Sequence, residues 1–105
     1  MTITDRIRER RKELDRLCER YRVKTLDLFG SATRADFDAD RSDLDFLVEF
    51  KQLPPNEHAD AFFGLQQDLE TLFGNPVDLI EIEPIRNPYF RQEVEATRVP
   101  VYAAA

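Results

Sequence analysis

"LFGSATRADFDADRSDLDFLVEF", Leu28 to Phe50, places a charged connection between two apolar runs. Near its start stands Gly30-Ser31, in a chain with only three glycines, and near its end Asp43 and Asp45 lie one residue apart. The second run, "LDFLVEF" over 44–50, is rich in β-formers and too short for a helix. In a strand, residues i and i+2 share a face and lie about 6.5–7 Å apart. Asp43 and Asp45 therefore fall on one face with Leu47 and Glu49, while Leu44, Phe46 and Val48 form an apolar core face. The first run, "VKTLDLF" over 23–29, alternates as a half-buried strand with Val23, Thr25, Asp27 and Phe29 on one side.

Working outward, Ile3, Ile7, Leu14, Leu17 and Tyr21 recur at helical spacing and predict one helix over 4–21, with Thr4 as its N-cap. "QLPPN" (52–56) is a loop. Ala59, Phe62, Phe63, Leu65, Leu69, Leu72 and Phe73 then trace an amphipathic helix that stops at Gly74. "NPVDLIEIE" (75–83) reads as a third strand, 88–97 as a short helix and "VPVY" (99–102) as a last strand. This order predicts one α+β domain over 1–105, a small mixed β-sheet flanked by helices, with the helices expected on one side.

A chain of 105 residues suits a single core, and 42% apolar with 34% charged residues places it among globular proteins. No apolar run approaches the ~18 residues of a membrane span, and "MTITDRIRER" lacks the apolar stretch of a secretory signal. Cys18 is the single cysteine, which excludes an internal disulfide and a cysteine-rich zinc site. A cytoplasmic location and no membrane contact are expected. The net charge of −6 is unevenly spread: residues 1–24 carry nine basic and five acidic side chains, the remainder six and sixteen. The basic end reads first as a solvated helix face with Glu and Asp interleaved, with a basic partner surface or bound divalent cations as the alternative; direct nucleic-acid binding is not expected of so acidic a chain.

Two carboxylates on one strand face repel, and a cation between them relieves both the repulsion and the cost of desolvation. One or two carboxylates completed by substrate phosphates is the usual Mg²⁺ arrangement. Asp78 interrupts "PVDLIEI" in the same way, with Val77 and Leu79 pointing away from it. If that strand pairs beside 44–50, three carboxylates converge and two metal ions about 3.5–4 Å apart can be held. Gly30 permits close backbone approach, the following turn can present N–H groups to an anion, and Ser31 and Arg34 add a hydroxyl and a cation. Phosphate on one side and metal on the other is the layout that phosphoryl or nucleotidyl transfer requires.

Each piece alone has an ordinary structural reading: a Gly-Ser turn, a solvated Asp-x-Asp edge, and Arg34 paired with Asp36 or Asp38. The order and spacing carry the signal. "DFDADRSD" is not a calcium loop, because Arg41 and Leu47 stand where that pattern needs Gly and Glu. His58 is assigned to the surface, Cys18 to a packed thiol, and Phe62, Phe63, Leu69 and Phe73 to the core.

The combination of Gly30-Ser31, Ser42-Asp43-x-Asp45 and Asp78 resembles the minimal nucleotidyltransferases of the DNA polymerase beta-like superfamily. Their signature is Gly-Ser, a short helix, Asp-x-Asp on the next strand and a third Asp on a later one. The resemblance runs over nearly the whole chain, including the ending "IRNPYFRQEVEATRVPVYAAA". It implies the polymerase beta-like nucleotidyltransferase fold, with ATP as substrate and Mg²⁺, two ions, held by Asp43, Asp45 and Asp78 as the catalytic carboxylates. Gly30, Ser31, Arg34 and Ser42 would bind the nucleotide, and Asp78 would also help activate the attacking hydroxyl. Ala35 stands where the family often has glycine, and the loop before Ser42 is one residue longer than its commonest form.

The same resemblance implies an antitoxin in a hetero-oligomer with a HEPN-domain toxin, transferring AMP to a toxin hydroxyl, typically tyrosine. Two alternatives stay open: neutralisation of the toxin by contact alone, and the catalytic subunit of a small-molecule nucleotidyltransferase.

Overall fold

The β-forming runs on either side of the charged connection pair directly with each other. In the computed structural model, which describes residues 3–30, 43–81 and 88–104, β1 (Val23–Phe29) runs antiparallel to β2 (Leu44–Phe50), with Phe29 opposite Asp45 and Leu28 opposite Phe46. β3 (Val77–Glu81) lies parallel to β2, and β4 (Val99–Ala103) antiparallel to β1, in the order β3-β2-β1-β4. A parallel pair needs a crossover between its strands, and helix α3 (Pro55–Phe73) supplies it. Pro55 suits the first turn, where its missing N–H costs nothing. Gly74 ends the helix in the left-handed region (φ 72°), donating its N–H to the Glu70 carbonyl at 2.8 Å.

The main core fills one face of this sheet. Leu26, Leu28, Leu44, Phe46 and Val48 project toward Leu65, Leu69 and Phe73 of α3 and toward Leu14 and Cys18 of α2 (Arg11–Arg20). Phe46 stacks on Phe73 with ring centroids 6.2 Å apart. Each fully buried side chain of this kind contributes about 1.5–3 kcal/mol. Burial also pushes the Cys18 thiol up to about 12, as befits a packed thiol. Tyr21 locks α2 to α3: its ring lies so close to Gly64 that a Cβ there would sit 2.6 Å from it, and its hydroxyl donates to Asp68 Oδ2 at 2.5 Å.

Three expectations need correction. The N-terminal helix is two helices, α1 (Ile3–Glu9) and α2, broken at Arg10 (φ −100°, ψ 18°), and Thr4 lies inside α1 instead of capping it. Between Ile7 and Leu14 the apolar stripe is interrupted by Arg10 and Arg11, so packing does not hold the helix through that turn. Phe63 is 66% exposed, because the α3 face that meets the sheet is set by Ala61, Leu65 and Leu69. Helices also cover both faces of the sheet: Val94 of α4 (Pro88–Thr97) packs with Phe29 and Leu47 on the face opposite α3. These two apolar side chains share a face with Asp45 and require a cover of their own. Among the described residues, no helix is long and apolar enough to cross a membrane.

Candidate active site

Alternation leaves the aspartates of β2 and β3 little choice of direction. Leu44, Phe46, Val77 and Leu79 are all buried, so Asp45 and Asp78 take the other face. In the parallel register Leu44 stands beside Val77, Asp45 beside Asp78 and Phe46 beside Leu79. Parallel neighbours point the same way across a strand spacing of about 4.8 Å, which brings the two carboxylates together. Asp45 is half-buried and Asp78 exposed; Asp43 is exposed and stands immediately before β2.

The register of β3 is fixed from outside the sheet as well as within it. β3 is an outer strand, and α3 side chains one turn apart grip its backbone: Gln66 Nε2 donates to the Val77 carbonyl at 3.0 Å, and the Val77 N–H donates to Glu70 Oε2 at 3.1 Å. Leu44 N–H donates to the Pro76 carbonyl at 2.9 Å, closing the entry to the parallel pair. A one-residue slip would turn Asp78 into the core and Val77 out of it.

Gly30 answers a demand made by Asp45. It is buried, its φ is +71°, and a Cβ built on it would lie 2.8 Å from Asp45 Oδ2. Any side chain there would be strained and would displace the carboxylate. The Gly30 N–H is donated to Thr97 Oγ1 at 3.1 Å, at the end of α4. This glycine therefore leaves room beside Asp45 that any side chain would fill. Ser31, Arg34 and Ser42 lie outside the described residues.

Two carboxylates side by side on strands spaced about 4.8 Å apart repel by about 1–4 kcal/mol, depending on how far water screens them. That charge suits a divalent cation. Among the described residues no three His, Cys, Asp or Glu side chains gather into a group able to hold a metal by themselves. The donor set fits Mg²⁺ held by one or two carboxylates and completed by oxygens of a substrate phosphate.

The sequence reading passed over Asp27 and its partner. Asp27 lies opposite Leu47 on the Asp45 face, only 3% exposed, with Arg98 Nη2 2.8 Å from its Oδ2. The approach is off-line for a hydrogen bond, and that oxygen has no hydrogen-bond partner among the described residues, so the contact is one of charge. The signal was available: an aspartate inside "TLDLF" and an arginine just before the last strand. His58 stays outside the site, with Nε2 2.7 Å from Glu81 Oε1 at the far end of β3.

Comparison with known proteins matches the same region. A family model described as the nucleotidyltransferase domain matches residues 10–101. A candidate protein adenylyltransferase of Methanocaldococcus jannaschii, MJ0128, is 38% identical over 93 residues, covering 89% of this chain and 88% of that protein. Among solved structures, a candidate minimal nucleotidyltransferase is 31% identical with a TM-score of 0.65, covering 95% of this chain and 96% of the other. A complex of the tri-AMPylated HEPN toxin of Shewanella oneidensis with an MNT antitoxin superposes with a TM-score of 0.62 at 18% identity, covering 93% of this chain and 73% of the other, a likeness of fold.

Proposed function

Because the chain belongs to the nucleotidyltransferase domain family, we propose that it transfers AMP from ATP to a hydroxyl, typically a tyrosine, of a cognate HEPN-domain toxin and so silences it. The observation that carries this reading is Asp45 held beside Asp78 in register, with Gly30 pressed bare against Asp45. Its support on the side of the acceptor is the naming of a 38% identical relative as a candidate protein adenylyltransferase, together with the shared fold of an antitoxin seen with an AMPylated HEPN toxin.

In this reading Asp43, Asp45 and Asp78 hold Mg²⁺, and Gly30, Ser31, Arg34 and Ser42 receive the nucleotide. When bound, Mg²⁺ supplies charge neutralisation at the phosphate oxygens. The hydroxyl oxygen of the acceptor attacks the α-phosphorus of ATP, the bond to the β-phosphate oxygen breaks, and pyrophosphate leaves. Asp78 is exposed and therefore accessible to an incoming protein side chain, and it takes the hydroxyl proton. Asp45, half-buried against Gly30, is fixed in place and suited to orientation.

The test mixes the purified partner with Mg·ATP and either wild type or Asp78→Asn, then weighs the intact partner and assays its activity. An AMP-sized addition and loss of partner activity with wild type alone supports the enzyme reading. Equal silencing by Asp78→Asn without added mass assigns neutralisation to contact. A wild type that adds AMP to a small molecule and leaves the partner unmodified would move the chain to small-molecule transfer.

A further inference from the structure

The end of α4 touches the site from a direction that the carboxylates do not use. β4 begins at Val99, paired with Leu28 of β1, so the sheet ladder on that side stops short of Gly30. The Thr97 hydroxyl takes over where the ladder ends, accepting the N–H of Gly30 at 3.1 Å. Two further contacts tie the same piece of chain to the same strand. Arg98 reaches the buried Asp27, and Val94 packs on Phe29 and Leu47. The last turn of α4 is itself closed by the Arg98 N–H on the Val94 carbonyl at 2.8 Å.

We infer that Thr97 is a positioning residue for nucleotide binding, acting through Gly30, and this inference rests on the nucleotidyl-transfer reading. Gly30 is the last described residue before the connection that carries Ser31, and it packs within van der Waals range of Asp45. Its φ of +71° is a conformation that nothing in its own side chain can enforce. A buried N–H needs a partner, and the partner chosen dictates the direction in which the peptide plane points. Thr97 thereby sets both where the chain leaves β1 and how closely Gly30 lies against the Asp45 carboxylate. Arg98 and Val94 fix Thr97 in turn, so the C-terminal end of α4 acts as a rigid stop behind the turn.

The experiment compares wild type, Thr97→Val and Thr97→Ser in Mg·ATP binding by calorimetry, in the KM for ATP against kcat, and in urea unfolding. Valine keeps the volume and removes the acceptor; serine keeps the acceptor. The expectation is a folded Thr97→Val protein with affinity for Mg·ATP reduced by about tenfold, KM raised by the same factor and kcat changed by no more than about threefold. Thr97→Ser should return affinity to within about twofold of wild type. The inference is overturned if Thr97→Val binds as wild type does, if Thr97→Ser is as weak as Thr97→Val, or if Thr97→Val does not fold, since the hydroxyl would then serve the fold as a whole.

Should wild type bind no Mg·ATP, the functional reading fails, and amide hydrogen exchange decides the positioning claim alone. Exchange at Gly30 should then be faster in Thr97→Val with Leu28 unchanged. Unchanged exchange at Gly30 would overturn it.

Discussion

On the face of the sheet toward α2 and α3, Leu26, Leu28, Leu44, Phe46 and Val48 meet side chains of their own kind, and two helices cover them. On the opposite face β1, β2 and β3 present Asp27, Asp45 and Asp78, and α4 covers the apolar patch around Phe29 and Leu47. The first face gains stability from every atom it removes from water. The second places like charges side by side, buries one of them at Asp27, and leaves Asp78 in solvent. The sheet thus separates by parity: even positions of β2 face the main core, and odd positions place Asp45 beside Leu47 on the other face. A face built for ligands must stay open where the carboxylates are, which limits how much apolar cover it can have.

That division is broken most severely at Phe46. Phe46→Ala should lower unfolding free energy by about 3–5 kcal/mol, read from urea titration, because the ring is fully buried against Phe73. A loss below 1 kcal/mol would show that the α3 face is not the main source of stability. Next in size is Arg98→Met. Removing the cation leaves Asp27 buried without its counter-charge and should cost about 1–3 kcal/mol, less than for a wholly buried pair because Arg98 is 39% exposed. Restoring stability with Asp27→Asn in the same chain would identify the charge as the cause.

Much of this contrast could be read in the sequence, and the reason is the period of two. The runs 23–29 and 44–50 have the predicted limits, and Leu44, Phe46 and Val48 lie on the core face as their alternation requires. Asp78 could be paired with the Asp43-x-Asp45 strand on the same ground. Contacts between distant segments were not legible in this way. Nothing in the spacing of 88–97 tells which face the helix covers, because one valine makes the principal contact. The close approach of Gly30 to Asp45 appears only when the two strands are paired. Asp27 read only as part of one face of a half-buried strand, because its partner Arg98 is 71 residues away along the chain. The break at Arg10 was visible as a gap in the apolar stripe, but a helix can bridge such a gap when tertiary packing supports it.

A smaller effect sharpens the comparison from the carboxylate side. Asp78→Asn should leave stability within about 1 kcal/mol of wild type and raise it slightly, because it relieves repulsion with Asp45 at an exposed position. In Mg·ATP the ranking should reverse, with wild type gaining RT ln(1 + [L]/Kd) and the variant gaining less. Thermal melting with and without Mg·ATP measures both. A clear loss of stability in the absence of nucleotide would mean that Asp78 holds the sheet together. The smallest effect is at Cys18, where no reaction at all is expected. With the thiol raised from its ordinary 9.0 to about 12 and buried, the native protein should resist alkylation at pH 8 and react once unfolded in urea. Rapid labelling of the native protein would mean that the α2–sheet contact opens.

The parallel pairing of β2 with β3 also has a kinetic consequence. Asp45 lies on β2 with Asp43 immediately before it, and the antiparallel partner β1 comes just earlier in the chain. Asp78 is 33 residues beyond Asp45, and the chain between them includes the crossover helix α3. Closing such a loop delays the contact relative to the hairpin-like pair. In refolding monitored by amide protection and nucleotide binding, protection in β1 and β2 should precede binding; simultaneous recovery would argue against this order. A chain with only its first two strands in place would hold one half of the carboxylate pair and no register for the other. If transfer needs both carboxylates, as proposed above, it waits on completed folding.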